Sequence, residues 1–124
     1  MSSFFTTENM QGLIVWSILI LIFGLRFLRF HRIKKQIPLL ISQGAVVIDV
    51  RTQAEYIKVA KPGSLNIPLH QISDELNGKL KDFDKTKPII LCCRSGTRSK
   101  MAAKILRRAG FTNVYNAGPW RNTL

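Results

Sequence analysis

The sequence predicts an α/β domain, a parallel sheet flanked by helices, preceded by one N-terminal transmembrane helix. Three observations carry that prediction. Residues 13–25, LIVWSILILIFGL, hold no charge and a single hydroxyl. Two branched apolar runs, AVVIDV at 45–50 and PIILC at 88–92, read as strands covered on both faces. Behind the second run lie a polar loop and a helix-patterned segment, and strands that alternate with helices imply βαβ units. The chain's 124 residues leave room for one small domain beside the apolar segment.

Taken in order, residues 1–11 form an N-terminal tail and residues 12–30 the spanning helix. At ~1.5 Å per residue that helix measures about 28 Å, close to a hydrocarbon core once Arg26 and Arg29 snorkel to the interface. A cleaved signal peptide would want positive charge ahead of the apolar run, and the first 25 residues contain no Lys or Arg. A helix lying flat on a membrane would want a polar face, which Ser17 alone does not supply. Residues 31–36 continue as a basic juxtamembrane stretch. Arg26, Arg29, Arg32, Lys34 and Lys35 crowd this flank, whereas the other offers only Glu8, so the positive-inside tendency places the N-terminus outside and the domain in the cytoplasm.

Residues 37–124 form the domain. Ile37, Leu39, Leu40 and Ile41 before Gly44 read as a short helix with Pro38 in its first turn. The strand at 45–50 follows, then a helical turn at 52–56 and an extended piece at 65–67 bracketed by Pro62, Gly63 and Pro68. Ile72, Leu76 and Leu80 recur at helical spacing. After the second strand a helix presents Met101, Ala102, Ile105, Leu106 and Ala109 on its apolar side and ends at Gly110. Val114 and Tyr115 suggest a last strand.

The net charge of +12 would ordinarily raise nucleic acid as a partner. Five of the nineteen basic residues sit at 26–35, where anionic lipid headgroups account for them, and no aromatics interleave with the remainder as a single-strand platform requires. The expectation is a lipid membrane as partner and no nucleic acid. The two cysteines are neighbours, a poor geometry for a disulfide, so both are expected to be free thiols of a reducing compartment. No metal-ligand cluster, carboxylate pair or Ser-His-Asp pattern is evident, and neither metal nor cofactor is expected; His31 and His70 read as juxtamembrane and surface residues.

The chemistry lies in ILCCRSGTRS at 90–99. Counting from Cys92 gives the spacing C-x5-R; counting from Cys93 gives C-x4-R. A strand, a tight loop opening on a cysteine and a helix directly behind it let backbone N–H groups turn inward around the sulfur, while the helix terminus adds partial positive charge. Such a cradle lowers a thiol pKa and yields a thiolate nucleophile. Gly96 frees the loop backbone. With the strand running through Cys92, Cys93 opens the loop and Cys92 packs as a small buried hydrophobe.

These residues resemble the single-domain rhodanese family of sulfurtransferases. The resemblance rests on VIDVR at 47–51, Glu55 with Tyr56, Pro62 with Gly63, NIP at 66–68, CRSGTR at 93–98, AGF at 109–111, and Val114, Gly118 and Trp120. It runs from about residue 43 to 120. Val59, Ala60 and Lys61 stand where members commonly carry Gly-His-Ile, and basic juxtamembrane sequence occupies the place of the usual first edge strand. The resemblance implies a six-residue loop with the nucleophile first, hence Cys93; phosphatase loops are one residue longer, which disfavours phosphate. It implies a small anionic sulfur donor such as thiosulfate, a Cys93 persulfide, and a thiol, including a protein thiol, or cyanide as acceptor. Arg94, Ser95, Gly96, Thr97 and Arg98 would bind the substrate; the competing readings are that Arg98 mainly braces the loop and that Arg94 is simply solvated. Asp49 and Arg51 are expected to be structural. The rival expectation is a rhodanese-like binding or redox-sensing module that seldom turns over.

Overall fold

The computed structural model describes residues 6–124; residues 1–5 of the expected N-terminal tail lie outside them. The chain runs α1 (Thr7–Ser42), β1 (Val46–Asp49), α2 (Gln53–Lys58), β2 (Leu65–Asn66), a 3-10 turn (Leu69–Gln71), α3 (Ile72–Glu75), β3 (Ile89–Cys93), α4 (Thr97–Arg108), β4 (Val114–Pro119) and a closing 3-10 turn (Trp120–Thr123). The four strands are parallel in the order β2-β1-β3-β4, as a sheet with crossover helices demands. This is the α/β architecture that the branched runs predict.

Alternation along the strands builds two cores. Ile48, Val50, Ile67, Ile89, Leu91 and Cys93 face Ala102, Ala103 and Leu106 of α4, with Ile72 and Leu80 closing that side. The opposite pleat presents Val47, Ile90, Cys92 and Ala117, covered by Ile37 and Leu40 of α1 and by Trp120. Successive strand residues point to opposite faces, so the neighbouring cysteines sit in different cores.

Three elements differ from the sequence reading. The short helix expected at 37–41 is the last stretch of one continuous 36-residue helix, with Pro38 inside it on the exposed side. Apolar periodicity stops at the glycine before the strand but gives no sign of a break upstream; the apolar segment and the domain share one rod. Among the described residues no strand precedes β1; α1 takes the place at that face. The helix suggested by Ile72, Leu76 and Leu80 lasts a single turn, and Leu80 reaches the core from the turns that follow, its amide bonded to the Glu75 carbonyl at 2.8 Å. On α4, Met101 is 54% exposed and Ala103 takes the buried place.

Local chemistry accounts for the short α2. The Thr52 side chain accepts from the Glu55 amide at 3.3 Å while the Glu55 carboxylate accepts from the Thr52 amide at 3.3 Å, a reciprocal capping box. Asp49 and Arg51 are structural, as expected. Both are buried, joined by bonds of 2.8–3.0 Å, and the Arg51 guanidinium also donates to the Val59 carbonyl and lies 4.9 Å over the Trp120 ring. That triad pins the loop after β1 to the end of the chain.

Candidate active site

The end of β3 and the start of α4 are joined by three residues, Arg94, Ser95 and Gly96, and this brevity folds the backbone back over Cys93. The Gly96 amide donates to Cys93 Sγ at 2.9 Å. Gly96 itself has φ 99°, a left-handed value that a side chain opposes, and it serves as the N-cap of α4. The loop therefore delivers N–H groups and the positive end of a twelve-residue helix to one sulfur.

Cys93 is 1% exposed, and burial by itself raises a thiol's pKa. Here hydrogen bonds from the Ser99 hydroxyl and from the backbone of Ser99, Gly96 and Ser95 outweigh burial, so the Cys93 pKa is lowered from the ordinary thiol value. Cys92 goes the other way. Burial and the nearby Asp49 carboxylate hold it strongly protonated. The pleat and the electrostatics agree: Cys93 is the nucleophile candidate, and Cys92 a core residue.

A polar network that the sequence reading missed supports the loop. The Ser99 hydroxyl lies 3.4 Å from Cys93 Sγ and 2.6 Å from Asn116 Oδ1. Asn116 Nδ2 donates to the Gly96 carbonyl at 3.0 Å, and its Oδ1 also accepts from the Gly118 amide at 2.9 Å. Asn116 stands in β4 beside a register shift, which pairs Leu91 with Asn116 and Cys92 with Gly118. The available signal was a polar residue inside an otherwise apolar strand pattern, VYNAG. Satisfied buried polar groups of this kind hold a unique geometry.

The remaining predicted site residues spread around the mouth. Arg94 and Ser95 are exposed, and among the described residues no ion pair engages Arg94. Thr97 is exposed, its hydroxyl 3.4 Å from that of Ser95. Arg98 is joined to Glu55 by two bonds of 2.7 and 3.1 Å, tying the loop to α2. The Arg98 bond, with help from Thr52, draws the Glu55 pKa down to about 2. Arg98 thus braces the loop, and Arg94 is the arginine open to solvent.

α1 also reaches the loop. Arg26 Nη2 donates to the Ser95 carbonyl at 3.1 Å, and the Phe30 ring covers Gly96 and Gly118 so closely that a Cβ on either would stand 2.8 Å from it. Neither contact was anticipated, because 69 residues separate Arg26 from Ser95.

The Rhodanese-like domain family matches residues 34–117. The chain is 33% identical over 99 residues to the thiosulfate sulfurtransferase GlpE of Pseudomonas syringae, a match covering 76% of this chain and 90% of that protein. To YrkF of Bacillus subtilis it is 36% identical over 73 residues, which span 59% of this chain and 37% of that longer protein. Among solved structures it is similar to a rhodanese from E. coli determined with anions, with 31% identity, a TM-score of 0.57, and 63% of this chain and 89% of that one covered. Fold, loop and relatives agree that the chain belongs to the rhodanese-like family, the family of the sulfurtransferases it resembles.

Proposed function

We propose that the chain is a membrane-anchored sulfurtransferase that moves sulfane sulfur through a persulfide on Cys93, from a small anionic donor such as thiosulfate to a thiol or cyanide. The observation that carries this reading is the Cys93 sulfur held 2.9 Å from the Gly96 amide, with its pKa lowered. The Cys93 thiolate attacks the outer sulfur of thiosulfate, the S–S bond breaks, and sulfite leaves with the electron pair. The loop amides then face the anionic outer sulfur of the persulfide, the arrangement that stabilises developing charge. An acceptor thiolate attacks that outer sulfur and Cys93 departs as thiolate. Arg94 attracts the anionic donor, while Arg98 keeps the loop closed through Glu55.

Anchoring is supported by α1, which is long and apolar enough to cross a membrane. Leu13, Trp16 and Ile20 stand 58–69% exposed on it, an apolar surface that water does not favour and a bilayer does. Charge asymmetry orients the single pass with the N-terminus outside and the domain cytoplasmic.

The test is intact mass of the full chain, solubilised and reduced, after incubation with thiosulfate, beside Cys93→Ser and Cys92→Ser. A gain of about 32 Da, one sulfur, that disappears only with Cys93→Ser is the expected result. No adduct on folded protein overturns the proposal in favour of a binding module. Loss with Cys92→Ser alone would reassign the nucleophile.

A further inference from the structure

An open cleft of about 570 Å³ separates α1 from the mouth of the catalytic loop. One wall is Ile22, Phe23 and Phe27 of α1, which stand 50%, 76% and 69% exposed. The floor is Arg94, Ser95 and Thr97 of the loop, and Arg26 bridges wall and floor through the Ser95 carbonyl. Two features set this cleft apart from a mouth built for a water-soluble ion alone. Its apolar wall continues without interruption into the segment that carries no charge from residue 13 to 25, the segment read above as membrane-spanning. Its cations, Arg26 and Arg94, lie at the loop end.

We propose that this cleft admits an amphiphile from the membrane interface, a thiol whose head reaches the loop while its alkyl chain lies along Ile22, Phe23 and Phe27, and that such a thiol is the sulfur acceptor. The inference rests on the sulfurtransferase reading of Cys93. Charge and shape argue for this occupant. A thiolate, or the persulfide anion it becomes, is complementary to Arg26 and Arg94, and an alkyl chain is complementary to an apolar wall that borders lipid. The transfer balances: the acceptor sulfur attacks the outer sulfur of the Cys93 persulfide, the persulfide S–S bond breaks, and Cys93 leaves as thiolate. The acceptor's proton stays with the new alkyl persulfide or passes to water. The persulfide extends the reactive atom about 2 Å beyond Sγ.

The experiment uses the full chain in phosphatidylcholine vesicles, with Ile22→Ala/Phe23→Ala as the variant. Both side chains are exposed on the helix and neither belongs to the two cores, so the domain keeps its packing. The first arm measures protection of Cys93 from iodoacetamide by octanesulfonate and by methanesulfonate, probes that carry an anionic head and transfer no sulfur. Octanesulfonate is expected to protect wild type at a concentration at least tenfold below that needed by the variant, with methanesulfonate requiring similar concentrations in both. The two proteins sit in identical vesicles, so partitioning of the amphiphile into lipid cancels. Equal protection of wild type and variant by octanesulfonate overturns the cleft assignment.

The second arm loads Cys93 with thiosulfate and compares discharge by octanethiol and by 2-mercaptoethanol. The ratio of their rates is expected to fall about tenfold in the variant, and an unchanged ratio overturns the acceptor assignment. Failure of persulfide to form at all sinks the sulfurtransferase reading instead, and the protection arm still decides the cleft.

Discussion

Replacing Ser99 with alanine tests the electrostatic account of the nucleophile most directly. The Ser99 hydroxyl has two neighbours, Cys93 Sγ at 3.4 Å and Asn116 Oδ1 at 2.6 Å, and one proton to give. Against a neutral thiol it donates to Asn116 and accepts from Cys93. Once Cys93 ionises, turning that proton toward sulfur gives a charge-assisted bond, and Asn116 Oδ1 keeps the Gly118 amide as donor. Bonds to charged groups contribute about 1.5–3 kcal/mol, and the length of this one places it at the low end. About 1.4 kcal/mol corresponds to a tenfold change in an equilibrium, so Ser99→Ala is expected to raise the Cys93 pKa and cut the thiolate fraction below it about tenfold. The assay is the pH profile of iodoacetamide alkylation of the full chain, read by mass in a Cys92→Ser background. Below both pKa values the thiolate fraction falls tenfold per unit, so the slow limb drops about tenfold while the high-pH plateau holds. Ser99→Thr, which keeps the hydroxyl, is expected to restore most of the shift. A folded Ser99→Ala protein whose profile superimposes on the parent's would refute the reasoning and leave the backbone amides as the sole cause of the lowered pKa.

Three further outcomes follow from the packing and charge. Asp49→Ala leaves the Arg51 guanidinium buried without its carboxylate, a loss of about 3–5 kcal/mol in unfolding free energy, read by chemical denaturation of the full chain. Gly118→Ala places a Cβ 2.8 Å from Phe30 at a backbone φ of 75°, and should destabilise by about 1–3 kcal/mol; combining it with Phe30→Ala relieves the contact but not the φ, so thermal unfolding recovers only in part. Glu55 has its pKa lowered to about 2 by Arg98, so its pairing adds stability that is fully present above about pH 4.5 and lost as pH falls toward 2; a pH series of unfolding midpoints should show that loss in wild type and not in Glu55→Gln.

Much of the domain was legible because its signals are local. The run AVVIDV needs both faces covered, and both are: Ile48 and Val50 on one side, Val47 on the other. The loop CRSGTR announces itself by a glycine and donors between a strand and a helix, and Cys93 sits where that pattern puts it. What stayed hidden depends on distant pairings. Glu55, 43 residues from Arg98, converts a candidate anion-binding arginine into a brace. Ser99 and Asn116 act as one unit across 17 residues. Helical periodicity reports a face but not a length, so it suggested a helix through Ile72, Leu76 and Leu80 where turns at 76–80 carry the same side chains inward. The same limit hid the continuity of α1, because apolar residues left exposed on a helix and apolar residues that meet a sheet look alike in sequence.

That continuity bears on how the domain meets other macromolecules. A domain on a flexible tether samples a volume set by linker length, and its partners see an averaged effective concentration. Here the segment that leaves the sheet is the same helix, about 54 Å of rod with Ile37 and Leu40 locked into the core. The reactive sulfur consequently has no swing of its own. On the sulfurtransferase reading proposed above, a protein acceptor has to supply the reach, carrying its thiol on a mobile arm or terminus.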